Sequence, residues 1–371
     1  MMRVTGKMIR QRILANIESA MERLQFAQTQ MATGKRIQTP SDDPISLSKS
    51  LKVRALLADN QQFVRNIDDA IGWIDNTEPV LDEIVETIIT LKEIAIRGAS
   101  DTETDYERSA LAEQIDGLID NLVGLGNTRY GHRYVFSGTH TLTAPYTSEY
   151  TVSGESVSLP DLEWALLGNA RLAGGSVTVT GSMGETYIEG VDYEIDHQSG
   201  AIRRLGGGSM GAGSYTVSYQ TETICRVELN VPDTDGAINR EVARGVYERL
   251  NTGGEDIFAS RVAVFDLMVR VKNALFRDDG IDVNQSLDEI EDALEQVSSA
   301  LSDIGVKRNA FDLARAKLDS EMVNLQAMIS RLEDADLAEV MVRFQGEQTA
   351  YESALAAAGQ IMNTSLINFI T

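Results

Sequence analysis

The residues able to do chemistry are few and scattered. The 371-residue chain has three histidines, His132, His140 and His197, and a single cysteine, Cys225. None of the imidazoles stands at a spacing typical of zinc ligands, and no second thiol can complete a site. Gly206-x-Gly208-x-x-Gly211 matches a nucleotide-binding pattern, which in a dinucleotide site follows a strand and opens a helix. Here it precedes Ser214 to Tyr219, an alternating stretch that reads as a strand, so a glycine-rich hairpin loop is expected. No G-x-S-x-G elbow or P-loop occurs, and the Asp and Glu residues are spread along helix faces where they meet water. Asn284 and Asn363 head N-x-S/T triplets in or beside helical stretches, and such triplets are common by chance. Cys225 forms no internal disulfide and reads as a small buried hydrophobe in a strand. No catalytic, cofactor-binding or metal-binding residue is therefore expected, and the chain does not read as an enzyme.

Bulk properties narrow the class. The 43% hydrophobic content is ordinary for a soluble globular chain, and this length corresponds to two or three domains. A formal net charge of -23 argues against nucleic acid, which needs a basic face. No apolar run reaches the roughly 18 residues of a membrane span, so no membrane insertion is expected. Met1 to Arg10 lacks an apolar h-region, so no cleaved leader is expected either.

The elements that organise the chain are its two ends. Leu337, Met341, Phe344, Gln348, Tyr351, Leu355, Ala358 and Met362 follow at alternating spacings of four and three, which keeps one helical stripe facing a partner. Leu14, Ile17, Met21, Leu24, Gln28 and Met31 repeat that rhythm at the other end. Residues 1 to 36 carry seven Lys/Arg against Glu18 and Glu22, whereas residues 337 to 371 carry Arg343 against Glu339, Glu347 and Glu352. Opposite charge favours pairing of the two ends over pairing of either with its own copy. The two stripes are thus the expected assembly seam.

Between them the chain is nested. A first helix over about Lys7 to Ala32 stops at Gly34, and Asp43 can cap a second with Pro44 in its first turn. That second region places Leu47, Leu51, Ile67, Ile71, Ile74, Leu81, Ile84, Ile88 and Leu91 on its buried side, with Pro79 expected to kink or split it. Thr104-x-x-Glu107 is a capping-box pattern opening a third helix. From about Tyr134 the helical period gives way to β-branched and aromatic alternation between glycines, and from Ile257 helices return. A long helix then runs from Leu287 to Leu332 in three-four spacing, with Arg308 and Arg315 inside the stripe, and the phase slips at Glu333-Asp334-Ala335-Asp336. The expected fold is mainly α with an inserted β-rich domain, elongated, its terminal helices paired as a coiled coil. The expected domains are an N-terminal helix (1–42), a helical rod in two parts (43–136 and 255–333), the β insert (137–254) and a C-terminal helix (334–371). The insert is expected to be separable from the rod by a short linker.

Ala32-Thr33-Gly34-Lys35-Arg36-Ile37, then Pro40-Ser41-Asp42-Asp43-Pro44, and later Tyr134-Val135-Phe136-Ser137-Gly138, resemble signatures of the flagellin superfamily of bacterial flagellar axial proteins. Within it they are most similar to the proteins at the junction of hook and filament. The ending Asn363 to Thr371 lacks the Leu-Leu-Arg type terminus common in flagellins. The resemblance spans roughly residues 1–138 and 257–371. It implies a structural adaptor without cofactor, secreted through the flagellar export apparatus to the extracellular flagellum. The implied partners are the first hook-associated protein, flagellin, copies of itself in a ring and a cytoplasmic export chaperone. Alternatives are a flagellin that builds the filament, an intracellular coiled-coil scaffold, and an enzyme housed in the insert.

Overall fold

A computed structural model describes residues 6–100 and 102–370, with side chains described outside residues 6, 7, 9, 10 and 361–370. Helix α1 (Gly6–Thr33) ends where Gly34 takes φ of +67°, a conformation in which a Cβ would be strained. Helix α2 (Pro44–Gly98) starts as expected: the Asp43 carboxylate accepts the Ser46 amide at 3.0 Å, and Pro44 fills the first position. Pro79 does not split α2, which runs through it unbroken. A proline costs an exposed helix about 3 kcal/mol or more. Here Ile74, Leu81 and Ile84 are fully buried on either side, and each such burial is worth about 1.5–3 kcal/mol. Helix α3 (Asp105–Gly126) opens with a reciprocal capping box, in which Thr104 Oγ1 accepts the Glu107 amide and Glu107 Oε2 accepts the Thr104 amide.

The strands that follow are β1 (Arg129–Tyr130), β2 (Arg133–Tyr134), β3 (Tyr146–Glu149), β4 (Thr151–Leu159), β5 (Ala165–Leu166), β6 (Thr178–Thr180), β7 (Thr186–Tyr187), β8 (Tyr193–Asp196), β9 (Ala201–Arg204), β10 (Gly213–Gln220), β11 (Arg226–Leu229), β12 (Asn239–Ala243) and β13 (Val246–Arg249). They form an antiparallel four-stranded sheet β4-β10-β6-β7, a three-stranded sheet β5-β9-β8, and the pairs β1-β2, β3-β11 and β12-β13. Val157, Leu159, Leu167, Val179, Tyr193, Ile202, Val217 and Tyr219 close the core of the insert. Helices α4 (Gly254–Phe258), α5 (Val264–Phe276), α6 (Gly280–Gln285), α7 (Leu287–Glu333) and α8 (Leu337–Ile370) complete the chain.

Two compact units result, one of residues 1–64 and 316–371 and one of residues 65–315. In the first, Val53 and Leu57 of α2 meet Leu325 and Ile329 of α7. Leu47 is only half-buried and Leu51 is exposed, so the expected buried stripe of α2 holds only from its later turns. In the second unit Ile67, Ile74, Leu81, Ile84, Ile88 and Leu91 of α2 are buried, as are Ile290, Val297, Ile304 and Phe311 of α7. The two arginines in the α7 stripe reach carboxylates of α2: Arg308 pairs with Asp75, and Arg315 with Asp68 at 3.1 Å.

The insert and the helical body share one compact unit, in contact through α5. Helix α5 is buried on almost every face, including Lys272 and Asn273. Asn273 accepts the Ala170 amide at 3.2 Å and donates to the Gly168 carbonyl at 3.2 Å, and Arg277 donates to the Ser199 carbonyl at 3.0 Å and the Leu167 carbonyl at 2.5 Å. The fully buried Lys272 ammonium bonds Asp116 of α3 at 2.8 Å and the Ile224 carbonyl, and burial pushes its pKa down against the pull of Asp116. Replacing residues 139–253 by a short linker therefore strips polar partners from α5 and leaves Lys272 without its Ile224 acceptor. Such a deletion is expected to lose the cooperative thermal transition of the second unit. A deletion that melts as sharply as the parent by circular dichroism would refute that dependence.

Candidate functional site

The feature that unites the two chain ends is a joint where α1 turns into α2 and α7 turns into α8. Residues 34–36 and 333–335 lie antiparallel there: the Arg36 amide donates to the Glu333 carbonyl at 2.6 Å, and the Ala335 amide to the Gly34 carbonyl at 2.9 Å. Arg36 also donates to the Leu332 carbonyl at 2.9 Å. Below this bridge Glu333 is buried, with 7% of the residue exposed. It accepts a two-pronged bond from Arg54 at 2.8 and 2.5 Å, a bond from the Ser50 hydroxyl, and a more distant Lys35 ammonium at 3.5 Å. The Arg54 bonds are the main reason its pKa is lowered to about 2, with Ser50 and Lys35 adding to them and desolvation opposing. Lys35 itself pairs with Asp334 at 2.5 Å, which lowers that carboxyl too.

The turn that follows is held by its two aspartates. Asp42 accepts the Gln38 and Thr39 amides at 2.9 and 2.8 Å, the backbone bond from Thr39 contributing most to its lowered pKa. Asp43 is bonded by Ser46 and, at 3.4 Å, by Arg36, and its pKa falls likewise. Ser41 shares a hydroxyl bond with Thr39 at 2.8 Å. Pro40 and Pro44 line one end of a shallow apolar groove with Leu47 and Leu51. Gly34, Lys35 and Arg36 thus serve the bridge, and Pro40, Ser41, Asp42, Asp43 and Pro44 serve the turn. The acidic step at Glu333 to Asp336, expected only as a phase slip, supplies the joint's central carboxylate.

Beyond the joint α1 and α8 pack side by side. Arg23 pairs with Glu347 at 3.0 Å between them, an ion pair of the sign that the charge asymmetry of the ends favours. Within one chain the contact line on α1 runs Ile13, Ile17, Ala20, Leu24, Ala27 and Met31, with Ala20 and Ala27 most buried. On α8 it runs Val340, Phe344, Glu347, Tyr351, Ala354 and Ala358. Ile17, Leu24, Met31, Phe344 and Tyr351 of the expected seam lie on this line. The alternate members do not: Leu14, Met21, Leu337, Met341 and Leu355 are 45–59% exposed on its flank. Small residues let two helices approach closely, so alanines take the centre and the larger apolar side chains are displaced outward. A reading weighted toward large hydrophobes misses that shift. The side chain of Met362 lies outside the described residues.

None of the residues weighed for chemistry converges on a site. Gly206, Gly208 and Gly211 occupy the loop between β9 and β10, which opens a strand rather than a helix; β9 and β10 belong to different sheets, so the loop links two sheets and is not the expected hairpin. His132 and His140 are exposed, and His197 pairs with Glu189 at 3.0 Å. Cys225 is buried, its thiol pKa raised by desolvation. Among the described residues no three His, Cys, Asp or Glu side chains cluster as for a metal, and no helix is long and apolar enough to cross a membrane.

Residues 4–141 match the bacterial flagellin N-terminal helical region, and residues 287–370 the bacterial flagellin C-terminal helical region. The chain is 33% identical over 256 residues to flagellar hook-associated protein 3 of Escherichia coli K12, covering 68% of this chain and 74% of that one. It is 23% identical to polar flagellin F of Vibrio parahaemolyticus over 95% of both chains. The solved structure of a putative flagellar hook-associated protein from Vibrio parahaemolyticus shares its fold, with a TM-score of 0.51 at 18% identity, covering 79% of this chain and all of that one.

Two outcomes follow from the geometry. Glu333→Gln keeps shape but weakens the charged bonds to Arg54, a loss of about 2 kcal/mol, so amide exchange in α1 and α8 should accelerate at pH 7. The two tryptophans, Trp73 and Trp164, lie in the other unit, so hydrogen exchange is the appropriate probe. Because the folded-state pKa of Glu333 is depressed from 4.5 to about 2, its contribution is complete above about pH 5 and is lost as pH falls toward 2. The Gln variant should accordingly show a smaller increase in exchange over that window. Ala27→Leu, at a fully buried contact, should cost about 1–3 kcal/mol by overpacking, whereas unaltered exchange would mean that α1 and α8 are not in close contact there.

Proposed function

Because this chain belongs to the flagellin superfamily of bacterial flagellar axial proteins, we propose that it is the structural adaptor that joins the hook-associated ring to the flagellin filament. The observation that carries this reading is the likeness to hook-associated protein 3, which covers more than two thirds of each chain. In this reading the protein is secreted through the flagellar export apparatus and works outside the cell. Its partners are the first hook-associated protein below, flagellin above, copies of itself around a ring, and an export chaperone before secretion. Residues 1–42 and 334–371 form the assembly layer, and the rod segments 43–136 and 255–333, with the insert 137–254, belong to the surrounding part.

The paired ends supply a physical basis for assembly. An α1–α8 pair that buries its alanines leaves Leu14, Met21, Leu337, Met341 and Leu355 outside, two apolar stripes that one chain does not cover. Adjacent copies are the natural cover for them.

Loss of a junction leaves hooks intact and flagellin made but unattached. Deleting the gene should therefore give hooks without filaments and flagellin in the medium. Retained filaments of altered length would instead indicate a filament subunit. Met21→Asp and Met341→Asp separate assembly from folding, since exposed substitutions usually change stability by no more than about 0.5 kcal/mol. Both should be exported and melt like the parent while cells shed their filaments. Phe344→Asp and Leu24→Asp place a carboxylate on the half-buried seam and should destabilise the α1–α8 pair in the free chain as well.

A further inference from the structure

We propose that the β1–β2 hairpin tip of one copy, His132 and Arg133, seats in a groove of a neighbouring copy between the β11 strand end and helices α4 and α5. This rests on the ring reading in one respect, that copies meet one another, and supplies the surfaces by which they do so.

The groove encloses about 520 Å³, within the range of ligand-sized pockets. Leu229, Pro232, Ala259 and Ala263 form its exposed walls, and the aromatic cluster of Tyr146, Phe258 and Phe265 its floor, with ring centroids 5.0–5.1 Å apart. Asp233, Glu255 and Asp266 stand at its rim, and no Lys, Arg or His lines it. All three carboxylates are exposed, and among the described residues none of them is engaged in an ion pair. An apolar, aromatic-floored groove with unneutralised carboxylates suits a planar cation, which gains both charge pairing and a ring face.

The chain carries the complementary feature. From Asn121 through Ser148 it has no Asp or Glu, although it holds 56 acidic residues in all. At the tip of this stretch Gly131 turns with φ of +61°, and His132 and Arg133 are exposed without a side-chain partner among the described residues. The flanks are rigid. Arg129 lies 4.3 Å over the Tyr134 ring, and Tyr130 packs edge-on against Trp73 with centroids 5.8 Å apart. A tip already held in place loses little entropy on docking. Because the hairpin is pinned on Trp73 and contributes nothing to the groove lining, the two features are left to different copies. Two chains of net charge -23 repel, so contact between copies requires a local match of this kind. Tip-into-groove is a heterologous contact, the type that closes into a ring when the rotation permits.

The test mixes two full-length chains, one carrying His132→Cys and one Ala263→Cys, under mild oxidation. The mixed pair should form a disulfide dimer at least tenfold faster than either chain alone. Adding Arg133→Glu to the first chain should remove that advantage, and combining it with Asp266→Lys in the second should restore it. Mixed crosslinking no faster than self-crosslinking, or a rate indifferent to Arg133→Glu in chains that melt like the parent, would overturn the proposal. Either failure is read on purified chains and leaves the filament-retention test of the junction reading untouched.

Discussion

The structure depends on a carboxylate that is out of water and fully bonded. Glu333 ends α7, and its side chain is met by Arg54 and Ser50 of α2 and by Lys35 from the turn after α1. An ion removed from water destabilises a fold unless its charge and lone pairs are met. Here they are met by residues from the opposite end of the chain. Bringing those groups together fixes where α1 stops, where α2 starts and where α8 begins. The backbone bridge between residues 34–36 and 333–335 then places the two chain ends alongside each other.

Once α1 and α8 are neighbours, side-chain size decides how they touch. Ala20 and Ala27 on one helix and Ala354 and Ala358 on the other allow close approach, and Leu14, Met21, Met341 and Leu355 beside them are turned outward. The line inside the pair alternates these alanines with the half-buried Ile17, Leu24, Met31, Phe344 and Tyr351, and an apolar flank stays exposed. Charge acts in the same direction: Arg23 and Glu347 link the two helices of one chain, so like pairs of ends are disfavoured.

The second unit solves a different problem, the attachment of a β insert to a helical body. Helix α5 is the shared element. Its apolar residues complete the helical core, while Lys272, Asn273 and Arg277 bond backbone carbonyls of the insert. Lys272 and Asn273 are buried with partners and Arg277 is half-buried with its own, so each is costly to orphan. The two layers consequently share one compact unit, although the chain texture changes sharply between them.

Much of this was legible in the sequence because it rests on local rules. The stop at Gly34, the Asp43 cap with Pro44, the Thr104–Glu107 capping box and the β10 strand after the glycine loop are short-range consequences of φ preference, capping and alternation. The family turn from Gly34 to Pro44 and the three-four rhythm at both ends likewise carried the identity of the fold. What the sequence left undecided is set by partners distant along the chain. Pro79 stays within one helix because its neighbours are buried, and Arg308 and Arg315 sit in an apolar rhythm because Asp75 and Asp68 face them. Periodicity marked both seam helices but could not fix the rotation that puts Ala27 inside and Met21 outside, because that choice depends on how closely two separate helices can approach. The acidic step at Glu333 read as a break in phase, and only the folded chain, by bringing Arg54 and Lys35 to it, made it the point on which both ends are fastened.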